Sequence, residues 1–484
     1  MSSSAERLAC RPVVAGFHPD PSVCRAGDTY WMVCSSFEYA PGVPLFRSPD
    51  LLTWEQAGNV LSRPSQLTID GTPSSAGIYA PTIRFHDGRF WVITTNVWDG
   101  QGQLLTWATD PAGEWSDPIR FPDVPGIDPD LAWDDDGTCY LTVSGGPEGI
   151  FQYVINPSTG EVLSERQRLW SGTGGQFPEA PHLYHVDGHW YLMIAEGGTE
   201  RGHAVTIARG PSPAGPFEPG PDNPVLTARS TDLPVQNTGH GDLVQRPDGS
   251  WAMLYHGVRT RGFTPAWHVL GRETFASDIA WVDGWPRLTT PIEPAEPATV
   301  KHHELTGDTL PASWVSPGRF PGEILHRDDD GWRLDGPGFA GRRQQHLAAE
   351  MTATLDVRHG TGGLSIQLSP RHRLDIEADT GQVRAIGHSA GLTATLGQAP
   401  ISEPSRVRLT LRAVPVSPYA GPDEIIAELI TETGPVELGR LDGRHLSTEI
   451  AGGFTGRIIG ITATNGHIGI RSLTYTGTDQ PQTR

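Results

Sequence analysis

The chain has 484 residues, with 36 Lys and Arg against 56 Asp and Glu, a net charge of −20, and 58 Gly alongside 43 Pro. That acidity argues against nucleic acid, whose phosphates call for clustered Lys and Arg; the sole lysine, Lys301 in "ATVKHHEL", supports neither a GxxxxGK[ST] phosphate loop nor a Schiff-base site. Glycine and proline spread along the whole length predict an all-β chain of many short strands, long enough for at least two domains.

The start, "MSSSAERLACRPVVAG", has no basic segment leading into a long apolar one, and no run approaches the ~18 apolar residues of a membrane helix. The expectation is a cytoplasmic protein with no membrane partner. Cysteines at 10, 24, 34 and 139 include no CxxC pair, which fits neither a disulfide framework nor a zinc site. They are expected to be reduced core thiols.

The first element along the chain is "GFHPDPSV", residues 16–23, where Asp20 stands between Pro19 and Pro21 just before an apolar stretch. Proline on both sides fixes the backbone there. Either this is a turn, or the carboxylate is being aimed. A hairpin follows, "RAGDTYWMVCSS", and its pattern of turn then aromatic strand recurs in "FHDGRFWVITTN", "DDDGTCYLTVSG", "HVDGHWYLMIAEG" and "RPDGSWAMLYHG". The turn glycines are Gly27, Gly88, Gly137, Gly188 and Gly249, spaced 61, 49, 51 and 61 residues apart. Tight hairpins at a period of about 50 to 60 residues match the blades of a β-propeller, five in number; a sandwich with coincidental turns is the alternative.

Nine residues before four of these glycines lie Tyr79, Asp128, Glu179 and His240, and Asp20 lies seven before the first, in a shorter version of the turn. One equivalent place in each unit therefore carries Asp20, Tyr79, Asp128, Glu179 and His240. At the start of an innermost strand these five side chains would meet on the propeller axis.

After residue 286 the pattern stops, and "PRLTTPIEPAEPATVKHHEL", with prolines at 286, 291, 294 and 297, reads as a linker. Segments such as "GLSIQLS", "RLDIEA", "RVRLTLRA" and "HIGIRSLTYTG" then alternate with period two, as antiparallel sandwich strands do. The expected domains are a propeller over 1–300 and a β-sandwich over 301–484.

Three carboxylates near one axis raise one another's pKa, which keeps a proton available for general acid catalysis; two carboxyls in unlike environments are the working parts of a glycosidase. A metal site made of Asp20, Asp128, Glu179 and His240 competes with that reading, but an open axis suits a sugar better than a bare ion. Turn-capping acids beside proline are the bland alternative, and three of them at equivalent positions weigh against it.

In order, "GFHPDPSV", "GIYAPTI", "GIDPDLAW", "PEAPHLY", "AEGGT", "TGHGDLV" and "LGRET" resemble glycoside hydrolase family 43, five-bladed propellers that include β-xylosidases and α-L-arabinofuranosidases. The likeness runs from residue 12 to about 287, and "FTGRIIGITATNGH" resembles the concanavalin-like β-sandwich that follows the propeller in many members. The resemblance implies that Asp20 is the general base, Glu179 the general acid and Asp128 the acid that orients and tunes Glu179. It further implies sugar contacts from Arg272 in "LGRET", from the axial His240, and from Phe37 and Tyr79 as aromatic walls. Many xylosidase-like members place Trp where this chain has Tyr79, which leaves xylose and arabinofuranose both open.

No cofactor is required by this reading, although in some members the axial histidine helps hold calcium. The expected chemistry is inverting, with Glu179 protonating the leaving oxygen and Asp20 activating water on the opposite face; the prolines around Asp20 would keep the base away from the acid. The partner expected is an oligosaccharide from hemicellulose, and a homo-oligomer is admitted. A lectin-like propeller without catalysis and an endo-acting arabinanase remain as other readings. Glu196 reads as support rather than the acid, Asp130 as a turn or ladder partner of Asp128, and Trp98, Trp133 and Trp190 as inter-blade packing. The pair His302 and His303 reads as solvated linker.

Overall fold

The repeat's Asp-Gly turns set the local geometry. At 87–88 and 187–188 both turn residues take positive φ (Asp87 49°, Gly88 71°; Asp187 48°, Gly188 76°), the twist that joins two strands through two residues. The structure, a computed structural model, describes residues 8–295, 299–329, 331–417 and 419–479. Contacts divide it into two units. One takes in His18–Arg259 and Glu273–Pro294 with the described residues up to Val14; the other takes in Ala15–Phe17, Thr260–Arg272 and the remaining described chain.

The first unit is a five-bladed propeller. Its five separate antiparallel sheets begin with innermost strands Ser22–Ala26, Thr82–His86, Ile127–Trp133, Glu179–Val186 and Val235–Gln245. Each innermost strand neighbours the next, and the fifth neighbours the first, so the ring closes. Apolar residues lie between blades rather than at the centre. Leu105 and Phe121 of the second blade meet Leu141 and Tyr153 of the third, and Met193 and Val205 of the fourth meet Met253 and Phe275 of the fifth. Val23 and Met32 of the first meet Ala252 and Leu254 of the fifth. Each such side chain, fully buried, stabilises by about 1.5–3 kcal/mol. The axis itself is left to polar groups.

Two expectations need correcting. The stretch after 286 is not simply a linker: Trp285–Ile292 is the outer strand of the fifth blade and pairs with Glu273–Val282, while Val300–Glu304 pairs with the last strand of the second unit. Edge strands need hydrogen bonds on one side only, so Pro286 and Pro291 are tolerated there and hide the period. Pro297 and residues 1–7 lie outside the described residues. His302 and His303 are thus strand residues, both exposed, with His303 Nδ1 3.2 Å from Thr474 Oγ1. Of the thiols, Cys24, Cys34 and Cys139 are buried as expected, but Cys10 is exposed; none of the four is in a disulfide.

The second unit is a concanavalin-like double layer of antiparallel strands. The 21-residue strand Ile458–Thr478 joins the layers. Its first half pairs with Gly338–Arg343 and Gly360–Ser369, and its second half with Ala348–Asp356. Gly466 takes φ 61° opposite Gly360, and the register shifts next to it, where Thr361 pairs with Asn465 and Gly362 with Ala463. Leu364, Ile376, Leu409, Ile425 and Ile461, each 0% exposed, fill the space between the layers. Among the described residues no helix is long and apolar enough to cross a membrane.

Candidate active site

Asp20 and Tyr79 lie just before their innermost strands, Asp128 and Glu179 at the starts of theirs, and His240 six residues into Val235–Gln245; in the last three blades the ladder is irregular there. Register shifts occur at Ile127/Asp130, Glu179/His182, Gln236/Gly239 and Gly239/Asp242. Asp20, Asp128 and His240 take φ of 57°, 54° and 47°, and in the fourth blade Ala180 beside Glu179 takes 52°. Left-handed backbone is uncommon for residues other than glycine, and bulges re-aim side chains, so the same local device recurs around the ring.

Asp20 is 4% exposed, and both its oxygens are engaged. Oδ1 lies 3.1 Å from His256 Nδ1 and 3.3 Å from His240 Nδ1, and Oδ2 accepts from Ser35 Oγ at 2.6 Å. The neighbouring proline contributes through its carbonyl, which accepts from Ser35 N at 3.1 Å. Asp128, 7% exposed, accepts at Oδ2 from Ala180 N at 3.1 Å, which ties the third blade to the peptide that follows Glu179. Glu179 is half-buried at the head of its strand, opposite Ala195. Phe37 and Tyr79 meet edge to face at 5.6 Å, and the Tyr79 hydroxyl donates to Ser75 O at 3.1 Å. His240 thus meets Asp20 directly, Asp128 reaches the peptide beside Glu179, and the aromatic pair forms on neighbouring blades. Arg272 belongs by its contacts to the second unit, where its guanidinium lies 5.7 Å from the Phe454 ring centroid.

Sequence reasoning missed His256 and His203. Their rings stack 5.0 Å apart, and Gly239 has no room for a Cβ, which would stand 1.9 Å from His203 Cδ2. A signal for His256 existed in the repeat. It lies seven residues past Gly249, where the other hairpins carry Cys34, Thr95, Ser144 and Ala195 at the end of the second strand. Asp130 is also not what its spacing suggested: its carboxylate faces Arg84 at 2.7 Å and accepts from Leu183 N at 2.9 Å. Glu196 fits its supporting role, accepting from Thr173 N at 2.8 Å, Gly175 N at 3.1 Å and Thr206 Oγ1 at 2.6 Å. Trp133 packs between blades, stacked on His86 at 4.3 Å, and Trp190, stacked on His185 of its own blade, also packs in a cluster with Ala132 and Ile150 of the third blade, whereas Trp98 is 45% exposed.

One oxygen or nitrogen each from Asp20, His240 and His256 lie within 4.8 Å of one another, so this buried trio could hold a metal ion. The set does not fit calcium. A hard cation of that size takes about six to eight oxygen ligands, whereas the trio offers one carboxylate and two imidazoles whose Nδ1 atoms already face that carboxylate. No chemical step is derived through such an ion.

Residues 9–286 match the family described as "Glycosyl hydrolases family 43", and 325–474 match "Beta xylosidase C-terminal Concanavalin A-like domain". Among curated relatives, a "Xylosidase/arabinosidase" of Butyrivibrio fibrisolvens is 40% identical over 73% of this chain and 73% of its own length. A "Non-reducing end alpha-L-arabinofuranosidase" of Bacteroides ovatus is 33% identical over 95% of this chain and 92% of its own. Among solved structures, a xylan β-1,4-xylosidase from Bacillus halodurans superposes with a TM-score of 0.85 at 28% identity, covering 96% of this chain and 99% of that one. The family match takes in more than half of the chain, and the chain belongs to glycoside hydrolase family 43.

Proposed function

We propose that this hydrolase removes terminal α-L-arabinofuranosyl and β-D-xylosyl units from hemicellulose-derived oligosaccharides, with inversion at the anomeric carbon. The observation that carries the reading is the setting of Asp20. Its carboxylate is buried at the axis, with Oδ1 3.3 Å from His240 Nδ1 and Oδ2 accepting from Ser35 Oγ, while the Asp20 backbone N donates to His256 Nδ1 at 3.2 Å. A carboxylate so fixed cannot swing to meet the reacting carbon, and it suits the removal of a proton from water.

In this reading Glu179, half-buried on the fourth blade, protonates the leaving oxygen. Asp128 orients the acid through the Ala180 amide. Arg272, His240, Phe37 and Tyr79 carry the sugar contacts. First and fourth blades are not neighbours in the ring, and the fifth lies between them; inversion needs a gap of roughly 6.5 to 9.5 Å between base and acid. The names of the relatives support both sugars.

Proton NMR during hydrolysis of aryl α-L-arabinofuranoside and aryl β-D-xyloside tests the proposal. The first sugar formed should carry the inverted anomeric configuration from each. Retention, or turnover of neither glycoside, would overturn it.

A further inference from the structure

Just inside the ring from the site residues lies a second polar layer. Arg84, on the second blade's innermost strand, reaches across the axis: Nη2 lies 2.7 Å from Asp130 Oδ1 on the third blade, and Nη1 lies 2.8 Å from Asp242 Oδ2 on the fifth. Both carboxylates are 0% exposed. Asp242 Oδ2 also accepts from Ser22 Oγ at 2.7 Å and Val23 N at 2.9 Å on the first blade, and its Oδ1 accepts from the Tyr184 hydroxyl at 2.5 Å on the fourth. Ser22 Oγ in turn accepts from Ile83 N at 3.0 Å. Asp130 Oδ2 holds Leu183 N, and His182 Nδ1 stands 2.9 Å from Arg84 Nη2. Side chains from all five innermost strands therefore meet at one guanidinium. Burial works against the charge on Asp242, yet Arg84 beside it holds that carboxyl well below the ordinary range.

The spacing of this layer gives it a meaning. Ser22 lies two residues beyond Asp20, Asp130 two beyond Asp128, His182 three beyond Glu179 and Asp242 two beyond His240. At about 3.3 Å per residue, each site residue stands within about 10 Å of strand from its anchor. The apolar clusters reach the innermost strands through Val23, Leu131, Leu183 and Leu243, but each joins neighbouring blades only, whereas the polar layer joins all five. We propose that Arg84, with Ser22, Asp130, Tyr184 and Asp242, is a clamp that sets the mutual placement of the strand heads carrying Asp20, Asp128 and Glu179. Arg84 and Ser22 are then positioning residues for the hydrolysis, an inference that rests on the roles given above to Asp20 and Glu179. A planar fork donates to two carboxylates at fixed angles, which a lysine ammonium cannot reproduce, and an error of about 1 Å between reacting groups costs on the order of 100-fold in rate.

The test measures kcat, KM, melting temperature and the stoichiometry of xylose or arabinose binding for Ser22→Ala, Tyr184→Phe, Arg84→Lys and Arg84→Met. Ser22→Ala and Tyr184→Phe each remove one hydroxyl, so they keep the question answerable even if Arg84→Met does not fold. The expected result is kcat lower by about 10-fold in both hydroxyl variants and by about 100-fold in Arg84→Lys, with KM within about two-fold and one sugar still bound per chain. A kcat within two-fold of the parent in both hydroxyl variants, or a loss matched by a fall in binding stoichiometry, would overturn the clamp. Asp20→Asn separates the two layers of inference. If it keeps full turnover, the role of Asp20 and the clamp's purpose fall together; if it abolishes turnover while the hydroxyl variants stay normal, only the clamp falls.

Discussion

The two units bury opposite things at their centres. In the sandwich the middle is apolar, a continuous packing of Leu364, Leu374, Leu409, Ile459 and Ile461 with no exposure at all. In the propeller the apolar side chains lie between blades, and the middle holds Asp20, Asp128, Arg84, Asp130, His240, Asp242 and His256. The difference follows from geometry. Two facing sheets meet along their centre, whereas sheets packed around a ring meet along their flanks and converge only on their innermost strands. Polar groups there are costly to bury unless they are mutually paired, and paired groups at fixed positions are what acid–base chemistry needs. The reaction proposed above is placed on the unit that leaves its axis polar.

That contrast breaks most sharply at the carboxylates. Asp20→Asn and Glu179→Gln should each lower kcat by about 10²- to 10⁴-fold while the melting curve and far-ultraviolet circular dichroism stay close to those of the parent. A variant of either residue that retains turnover would detach the polar axis from the chemistry. Substitutions of buried residues in the sandwich unit should do the reverse. Arg457 is fully buried and paired with Asp423, its Nη2 lying 3.0 Å from Oδ1. Arg457→Met leaves that carboxylate without its cation, an expected loss of about 3–5 kcal/mol in urea unfolding. Leu409→Ala, opening a cavity in the apolar middle, should cost about 2–5 kcal/mol by the same measurement. Were either to leave the unfolding transition unmoved, the sandwich core would not be the source of that unit's stability.

The legibility of the two regions in the sequence differs for the same reason. Hairpin turns and period-two strands are local, so the five blades and the sandwich could be read from turn glycines and alternation. The equivalent positions at Asp20, Tyr79, Asp128, Glu179 and His240 could be read from their constant distance to those turns. His256 was available by that route too, but only on a strand whose equivalents are Cys34, Thr95, Ser144 and Ala195, none of which announces a site. Arg84 could not be found this way. It lies five residues past Tyr79, as Tyr184 does past Glu179, whereas Ser22, Asp130, His182 and Asp242 lie two or three past theirs, and its role depends on five registers at once. The outer strand Trp285–Ile292 was hidden by prolines that an edge tolerates. Asp130 was misread because spacing along a strand says nothing of the residue across the axis.

The smallest expected effect concerns acidity, and it has opposite sign in the two units. Glu38, beside Phe37 in the propeller, is 2% exposed; burial pushes its carboxyl up to about 7, against the pull of its own amide and of Ser75 N, which donates to Oε2 at 2.9 Å. A carboxyl whose pKa is higher folded than unfolded favours the fold while protonated. The unfolded chain releases that proton near the ordinary value of 4.5, so stability is lost as pH rises from there to about 7 and no further above it. Asp356 in the sandwich is the converse. The Arg358 guanidinium bonded to it holds it down to about 2, so its contribution is present above about pH 4 and lost as pH falls toward 2. Melting temperatures across pH should therefore diverge in opposite senses. Glu38→Gln should match the parent near pH 4.5 and exceed it by a few degrees at pH 8, whereas Asp356→Asn should fall below the parent at pH 7 and approach it near pH 3. Parallel curves for Glu38→Gln would mean that the buried carboxyl next to the aromatic wall is relieved by a partner when it ionises, and that the propeller's polar centre extends further toward Phe37 than its axis.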